Sequence, residues 1–202
     1  DTTLGIVDGS LVLGRIEGEE TYTDNGFKAT DIGSLTGLTT PVLIVEADMK
    51  FEGFNAAKGT VAGWIRLFSN DLEIRILIGH DGDNTVFSAE NATGTVSVAE
   101  GKWQNVRFEI DYANNDIYVF VDNVQAGVIA DPLTRAASGS RKLMYYLCKD
   151  ETAGKISMDN IYAGVLEDGN FIIPAEDASE KGAYYTDENK TCTRLDYDKE
   201  GV

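Results

Sequence analysis

Histidine, cysteine, proline and positive charge are all scarce in this chain of 202 residues, and each shortage excludes something. The one histidine, His80, and the two cysteines, Cys148 and Cys192, cannot complete a zinc site, whose ligands come in close pairs. Two cysteines permit a disulfide without implying one. Lys and Arg total 17 against 34 acidic residues, giving a net charge of −17. Such a field repels nucleic acid and anionic membranes, because phosphate binding relies on clustered Lys and Arg. No apolar run approaches the roughly 18 residues of a membrane helix, so a soluble chain without membrane insertion is expected. Neither Gly-x-x-x-x-Gly-Lys nor Gly-x-Gly-x-x-Gly occurs, which removes the common phosphate-cradling loops. The chain opens at Asp1 without Met or a signal peptide, and reads as a mature fragment or excised domain of a larger multidomain protein. Abundant Asp, Gly and Thr with little Cys lean towards a secreted or cell-surface bacterial protein. The sequons at Asn91 and Asn189 matter only in a secreting eukaryote.

What is present is alternation. In 42–54, Leu43, Val45, Ala47, Met49 and Phe51 are apolar, while Glu46, Asp48, Lys50 and Glu52 between them are charged. That is a half-buried strand. The same period predicts strands over 10–16, 26–32, 61–68, 72–79, 85–90, 94–99, 103–112, 116–122, 141–148 and 154–165, and a short helix within 132–138. The 21 glycines and turn signals such as Asp81-Gly82-Asp83-Asn84 and Asn114-Asn115-Asp116 suit an all-β, two-sheet antiparallel β-sandwich. After Val165 the pattern is lost. We therefore expect a sandwich domain over 1–170 and an acidic C-terminal extension over 171–202, acting as an edge-covering segment or a linker.

The run 101–128, GKWQNVRFEIDYANNDIYVFVDNVQAGV, is followed about thirty residues later by KISMDNIYAGV. Trp103 after a Gly-x step, the hairpin ending at Asp122-Asn123 and the closing Asp159-Asn160-Ile161 resemble the second half of a concanavalin A-like lectin/glucanase (laminin-G-like) jelly roll. The opening Asp8-Gly9-Ser10-Leu11 also resembles the start of such domains. The resemblance spans about 8–166 and implies the fold more than the activity, since this fold carries lectins, binding modules, glycosidases, lyases and adhesion domains. It also implies a calcium ion, for which Asp159 and Asn160, or the loop Asp81-Gly82-Asp83-Asn84, offer oxygen ligands. Trp103, at a strand start, is expected to be a core wedge.

Glucanases of this superfamily carry E-x-D-x-x-E or E-x-D-x-E, with the outer carboxylates about 5 Å apart. Glu46-x-Asp48 begins that motif, but Lys50 replaces the second Glu. Glu52 lies about 20 Å from Glu46 along an extended strand, beyond any retaining or inverting mechanism. Glu109 and Asp111, about 6.6 Å apart on one face, read as a solvated strand face. A lyase would need a Tyr or His base with a neutraliser, and no spacing marks one.

A binding face is better marked. A two-residue turn at Asn70-Asp71 pairs Leu67 with Ile74 and Ile65 with Ile76 on the core side. It then sets Arg66 opposite Arg75, Phe68 opposite Glu73 and Trp64 opposite Leu77. If 42–54 pairs with 61–68, Asp48 and its neighbours lie beside Arg66 and neutralise the arginines. The expected carbohydrate-binding surface is Trp64, Arg66, Phe68, Glu73, Arg75, Glu46 and Asp48, where rings stack on aromatic faces and charged groups bind hydroxyls. The alternative is a structural ion network beneath other segments. The function expected is a non-catalytic, lectin-like domain binding a polysaccharide or glycan; a glycoside hydrolase or polysaccharide lyase of the same fold and an adhesion spacer stand as alternatives.

Overall fold

Period-two alternation becomes alternating burial. Val45, Ala47, Met49 and Phe51 are fully buried, whereas Glu46, Asp48, Lys50 and Glu52 are half-buried on the opposite face. The computed structural model describes residues 3–7, 9–15, 25–30, 42–53, 61–69, 72–136, 142–147, 154–167, 170–172, 183–186 and 192–195. Among these there is no helix. The strands in chain order are β1 (Thr3–Val7), β2 (Ser10–Arg15), β3 (Asn25–Thr30), β4 (Val42–Glu52), β5 (Val61–Ser69), β6 (Leu72–His80), β7 (Asn84–Ala89), β8 (Val96–Ala99), β9 (Gln104–Asp111), β10 (Asp116–Val121), β11 (Val124–Ala130), β12 (Arg135–Ala136), β13 (Lys142–Leu147), β14 (Gly154–Glu167), β15 (Asn170–Ile172), β16 (Ala183–Thr186) and β17 (Cys192–Leu195).

They form two antiparallel sheets and a separate β16–β17 pair. The first sheet runs β1-β2-β14-β4-β9-β10-β11, with β15 joined to β14; the second runs β3-β13-β5-β6-β7-β8, with β12 joined to β6. The inner faces meet in one apolar core. Phe87 of the second sheet packs edge-on against Phe51 and Phe108 of the first, with ring centres 5.7 and 5.1 Å apart. Such contacts add about 0.5–1.5 kcal/mol each beyond area burial. At one margin the sheets are drawn together by Thr93 and Ala130, whose backbones exchange hydrogen bonds of 2.9 Å. Gly94 follows at φ +87°, and a Cβ there would lie 2.4 Å from the Val128 carbonyl oxygen, so this approach requires glycine.

The expected β5–β6 register holds: Leu67 faces Ile74, Arg66 faces Arg75, Phe68 faces Glu73 and Trp64 faces Leu77, with an irregularity only between Val61 and Gly63. Two expectations fail. Strand β4 does not pair with β5, because β14 and β9 occupy its two edges while β13 and β6 occupy those of β5. Alternation fixes which face a residue takes, and both sheets satisfy it equally. Within 132–138, the described part carries β12 instead of a helix, since Arg135 pairs across to Glu73 of β6. Residues 170–172 extend the first sheet at Val165–Glu167. A disulfide to Cys148 lies outside the described residues.

Candidate binding face

Outward positions on β5 and β6 bring Trp64, Arg66, Glu73 and Arg75 together on the outer face of the second sheet. Two guanidiniums opposite each other would repel, and the chain resolves this with one carboxylate. Arg66 Nε and Arg75 Nε both donate to Glu73 Oε1, each at 2.6 Å. Burial pushes the Glu73 carboxyl up, but hydrogen bonds from Arg66 and Arg75 and their charges more than offset this and hold it below its ordinary value. Arg135 donates through Nε and Nη2 to Glu90 Oε2, and Arg75 Nη1 lies 3.9 Å from Glu90 Oε1. The Arg75 guanidinium also stands 5.4 Å above the Trp64 ring, a cation–π arrangement.

Among the described residues, Arg66, Arg75 and Arg135 share the Glu73 and Glu90 carboxylates on this face, in a chain of net charge −17. The β13 register places Lys142 level with Phe68, and Met144 level with Arg66. Phe68 occupies its expected backbone position opposite Glu73; its side chain lies outside the described set.

Glu46 and Asp48 are not part of this face. They lie on the opposite outer surface, in a sheet where Asn105 Nδ2 donates to Glu46 Oε1 at 2.8 Å and to Asp48 Oδ1 at 3.0 Å. Asn160 Nδ2 donates to Asp48 Oδ2 at 2.7 Å, and the Asn160 backbone donates to Asp159 Oδ1 at 2.7 Å. The structure thus divides the expected surface between the two sides of the sandwich.

The residues offered for calcium do not fit that ion as arranged. Calcium takes about 6–8 oxygens, whereas both Asp48 oxygens face amide N–H groups, which repel a cation. In the loop, Asp81 Oδ1 accepts from the Asp83 and Asn84 backbones at 3.0 and 2.8 Å, closing its own turn. Among the described residues, no group of three or more His, Cys, Asp or Glu side chains gathers for a metal.

Nor do the acid–base candidates assemble. Glu52 is held by Lys50 and Lys155, each at 2.9 Å, and their hydrogen bonds and charges keep its carboxyl low, the reverse of a general acid. Glu109 pairs with Arg107 at 3.2 Å, and Asp111 accepts from the Ala113 and Asn114 backbones. His80 is buried, with Nδ1 accepting from the Gly82 backbone and Nε2 3.2 Å from Glu100. Tyr162, level with Glu46, is pushed up to about 12 by burial, with the Glu46 charge adding to the effect.

Trp103 corrects another expectation. It is 46% exposed and is no core wedge. The core side at this strand start is taken by the alternation of Val106, Phe108 and Ile110. The available signal was parity: Val106, Phe108 and Ile110 at even positions put residue 103 on the outward side.

No family model and no curated protein matches the chain. Solved structures match in fold. An endo-β-1,4-glucuronan lyase from the fungus Trichoderma reesei aligns with a TM-score of 0.55 at 9% identity, over 82% of this chain and 88% of that one. A cellulose-induced protein aligns with a TM-score of 0.52 at 13% identity, over 80% and 81%. A sialidase aligns with a TM-score of 0.51 at 10% identity, over 77% of this chain and 15% of the sialidase, so the chain corresponds to a small part of that protein. These likenesses establish the concanavalin A-like jelly-roll sandwich and nothing about chemistry.

Proposed function

We propose that this domain binds a polysaccharide carrying carboxylate groups, on the outer face of the second sheet, and does not cleave it. The observation that carries this reading is the arginine cluster: Arg66, Arg75 and Arg135 gathered around two carboxylates beside Trp64, on a chain otherwise strongly acidic. Planar guanidiniums take a sugar carboxylate in a two-point fork, and an indole face takes the C–H side of a pyranose. Likeness of fold to a lyase acting on a glucuronan supports an acidic sugar as the ligand class. The low carboxyls of Glu52 and Glu73 and the high Tyr162 phenol support binding over catalysis. As part of this reading the domain works outside the cell, where such polymers occur.

Affinity electrophoresis through gels containing a soluble polyuronate or a matched neutral polysaccharide tests it. The polyuronate should retard the protein, less so as salt is raised, and Arg75→Ala should remove the retardation. Equal retardation by both polymers, or none, contradicts the reading. Unsaturated or reducing products accumulating in the same mixtures would instead favour the enzyme alternative.

A further inference from the structure

The two carboxylates of the arginine face are held in different ways. Glu73 lies on β6 with its side chain 6% exposed, and it takes a guanidinium from each of Arg66 and Arg75 at 2.6 Å. Glu90 follows the last residue of β7, and its side chain is 29% exposed. Its Oε2 accepts from Nε and Nη2 of Arg135, while its Oε1 stands 3.9 Å from Arg75 Nη1, beyond hydrogen-bond length. Among the described residues, only arginines hold this carboxylate.

Arg135 does not need Glu90 to keep its place. It pairs with Glu73 across β12 and β6, and paired residues share a face of the sheet. The segment that brings it over from β11 is fastened on the way. The Asp131 backbone donates to the Asn115 carbonyl at 3.0 Å, the Leu133 backbone to the Glu90 carbonyl at 2.8 Å, and the Thr134 hydroxyl to Asn115 Oδ1 at 3.1 Å. The Leu133 bond uses the main chain of Glu90, so this turn holds wherever the Glu90 side chain points.

The sheet edge is also open here. Strand β5 pairs along β6 from Leu72 to Gly79, so β7 and β12 share the other edge of β6. There β7 covers Ile76 to His80 and β12 covers Leu72 and Glu73. Ile74 and Arg75 lie in the gap between them, and the Glu90 carboxylate reaches across it to Arg135.

We propose that Glu90 is a built-in competitor for the ligand. In the free protein its carboxylate occupies the place on Arg135, beside Arg75, that a uronate carboxylate takes when the polysaccharide docks; the Glu90 side chain then swings into water. This role rests on the polyuronate reading of the face. Exposed ion pairs are weak and open readily. Arg135, 41% exposed, can turn its Nε and Nη2 edge to a carboxylate as a two-point fork. Glu90 meets that edge with a single oxygen, whereas a carboxylate arriving from solvent can present both. Glu73, buried between its two guanidiniums, stays and keeps Arg66 and Arg75 from repelling each other. A neutral sugar has nothing to exchange for Glu90, so the competitor sharpens the preference for charged chains.

Titration calorimetry at low salt, with a uronate oligosaccharide and a matched neutral one, tests this on the intact chain. Glu90→Gln should bind the uronate about threefold tighter than the unaltered protein, the gain expected from removing an exposed ion pair. Glu90→Ala should do the same, since the turn keeps its Leu133 bond. Arg135→Ala should bind more weakly, and adding Glu90→Gln to it should bring no gain. Neither Glu90 variant should gain affinity for the neutral oligosaccharide. If the unaltered protein binds the uronate and both Glu90 variants bind it equally or less tightly, the competitor is overturned and the polyuronate face stands. An equal gain with and without Arg135 also overturns it, because Glu90 would then act through its charge at a distance. No uronate binding in any form overturns the polyuronate reading and the competitor together.

Discussion

On the outer face of the second sheet Glu73 lies between Arg66 and Arg75, whereas on the outer face of the first sheet Asp48 lies between the amides of Asn105 and Asn160. Both carboxylates accept two side-chain hydrogen bonds, and both sit at outward strand positions. One is met by two guanidiniums, charge against charge. The other is held by two neutral amides. Identical side-chain periodicity in sequence thus yields two surfaces of opposite character, decided by which strands the sheet topology brings alongside.

The largest contrast should appear in stability. Glu73→Gln leaves Arg66 and Arg75 facing each other with only a neutral acceptor, and should cost about 2 kcal/mol in urea unfolding, discounted for the partial exposure of both arginines. Asp48→Asn, whose partners are neutral, should cost under about 1 kcal/mol. If the two costs are equal, the distinction between the faces is wrong.

Acid should separate them next. The Glu73 carboxyl is lower in the folded protein than its ordinary 4.5, so in acid the unfolded state binds more protons. Its contribution is present in full above about pH 4.5 and drains as pH falls through the lower folded value. Glu52 follows the same sign, through its hydrogen bonds from Lys50 and Lys155. Unfolding measured from pH 6 to 2 should therefore flatten in Glu73→Gln, and an unchanged slope would remove Glu73 from the account.

Smaller still is the effect of removing each face's aromatic. Trp103→Ala should change stability by no more than about 0.5 kcal/mol, because the side chain is largely in water. Trp64→Ala, under the Arg75 guanidinium, should cost about 1 kcal/mol and loosen the arginines. Calcium or chelator should change the melting temperature least of all, since the residues around Asp159 present N–H groups to Asp48.

Much of this architecture was legible. The β5–β6 register followed from isoleucines and leucines that must share a face, and it placed Arg66 against Arg75 and Phe68 against Glu73. What was illegible is lateral order. Glu46 and Asp48 alternate as well beside β9 and β14 as they would beside β5, so their assignment to the arginine face could not be tested by pattern. Strand β11 escaped notice because Gln125, Ala126 and Gly127 break the alternation, and burial there is irregular. Trp103 was legible after all: with Gln104, Val106, Phe108 and Ile110 inward, it shares the outward parity of Asn105, Arg107 and Glu109, and a core wedge there contradicts the alternation.

The chain's two tryptophans lie one on each outer face, Trp64 beside the arginines and Trp103 beside the aspartates, so each reports on one surface. Following both indole N–H signals by NMR while titrating a uronate oligosaccharide tests the central claim most directly. The account predicts that the Trp64 signal moves saturably while Trp103 stays still. Movement of Trp103 alone, or of neither, would contradict it.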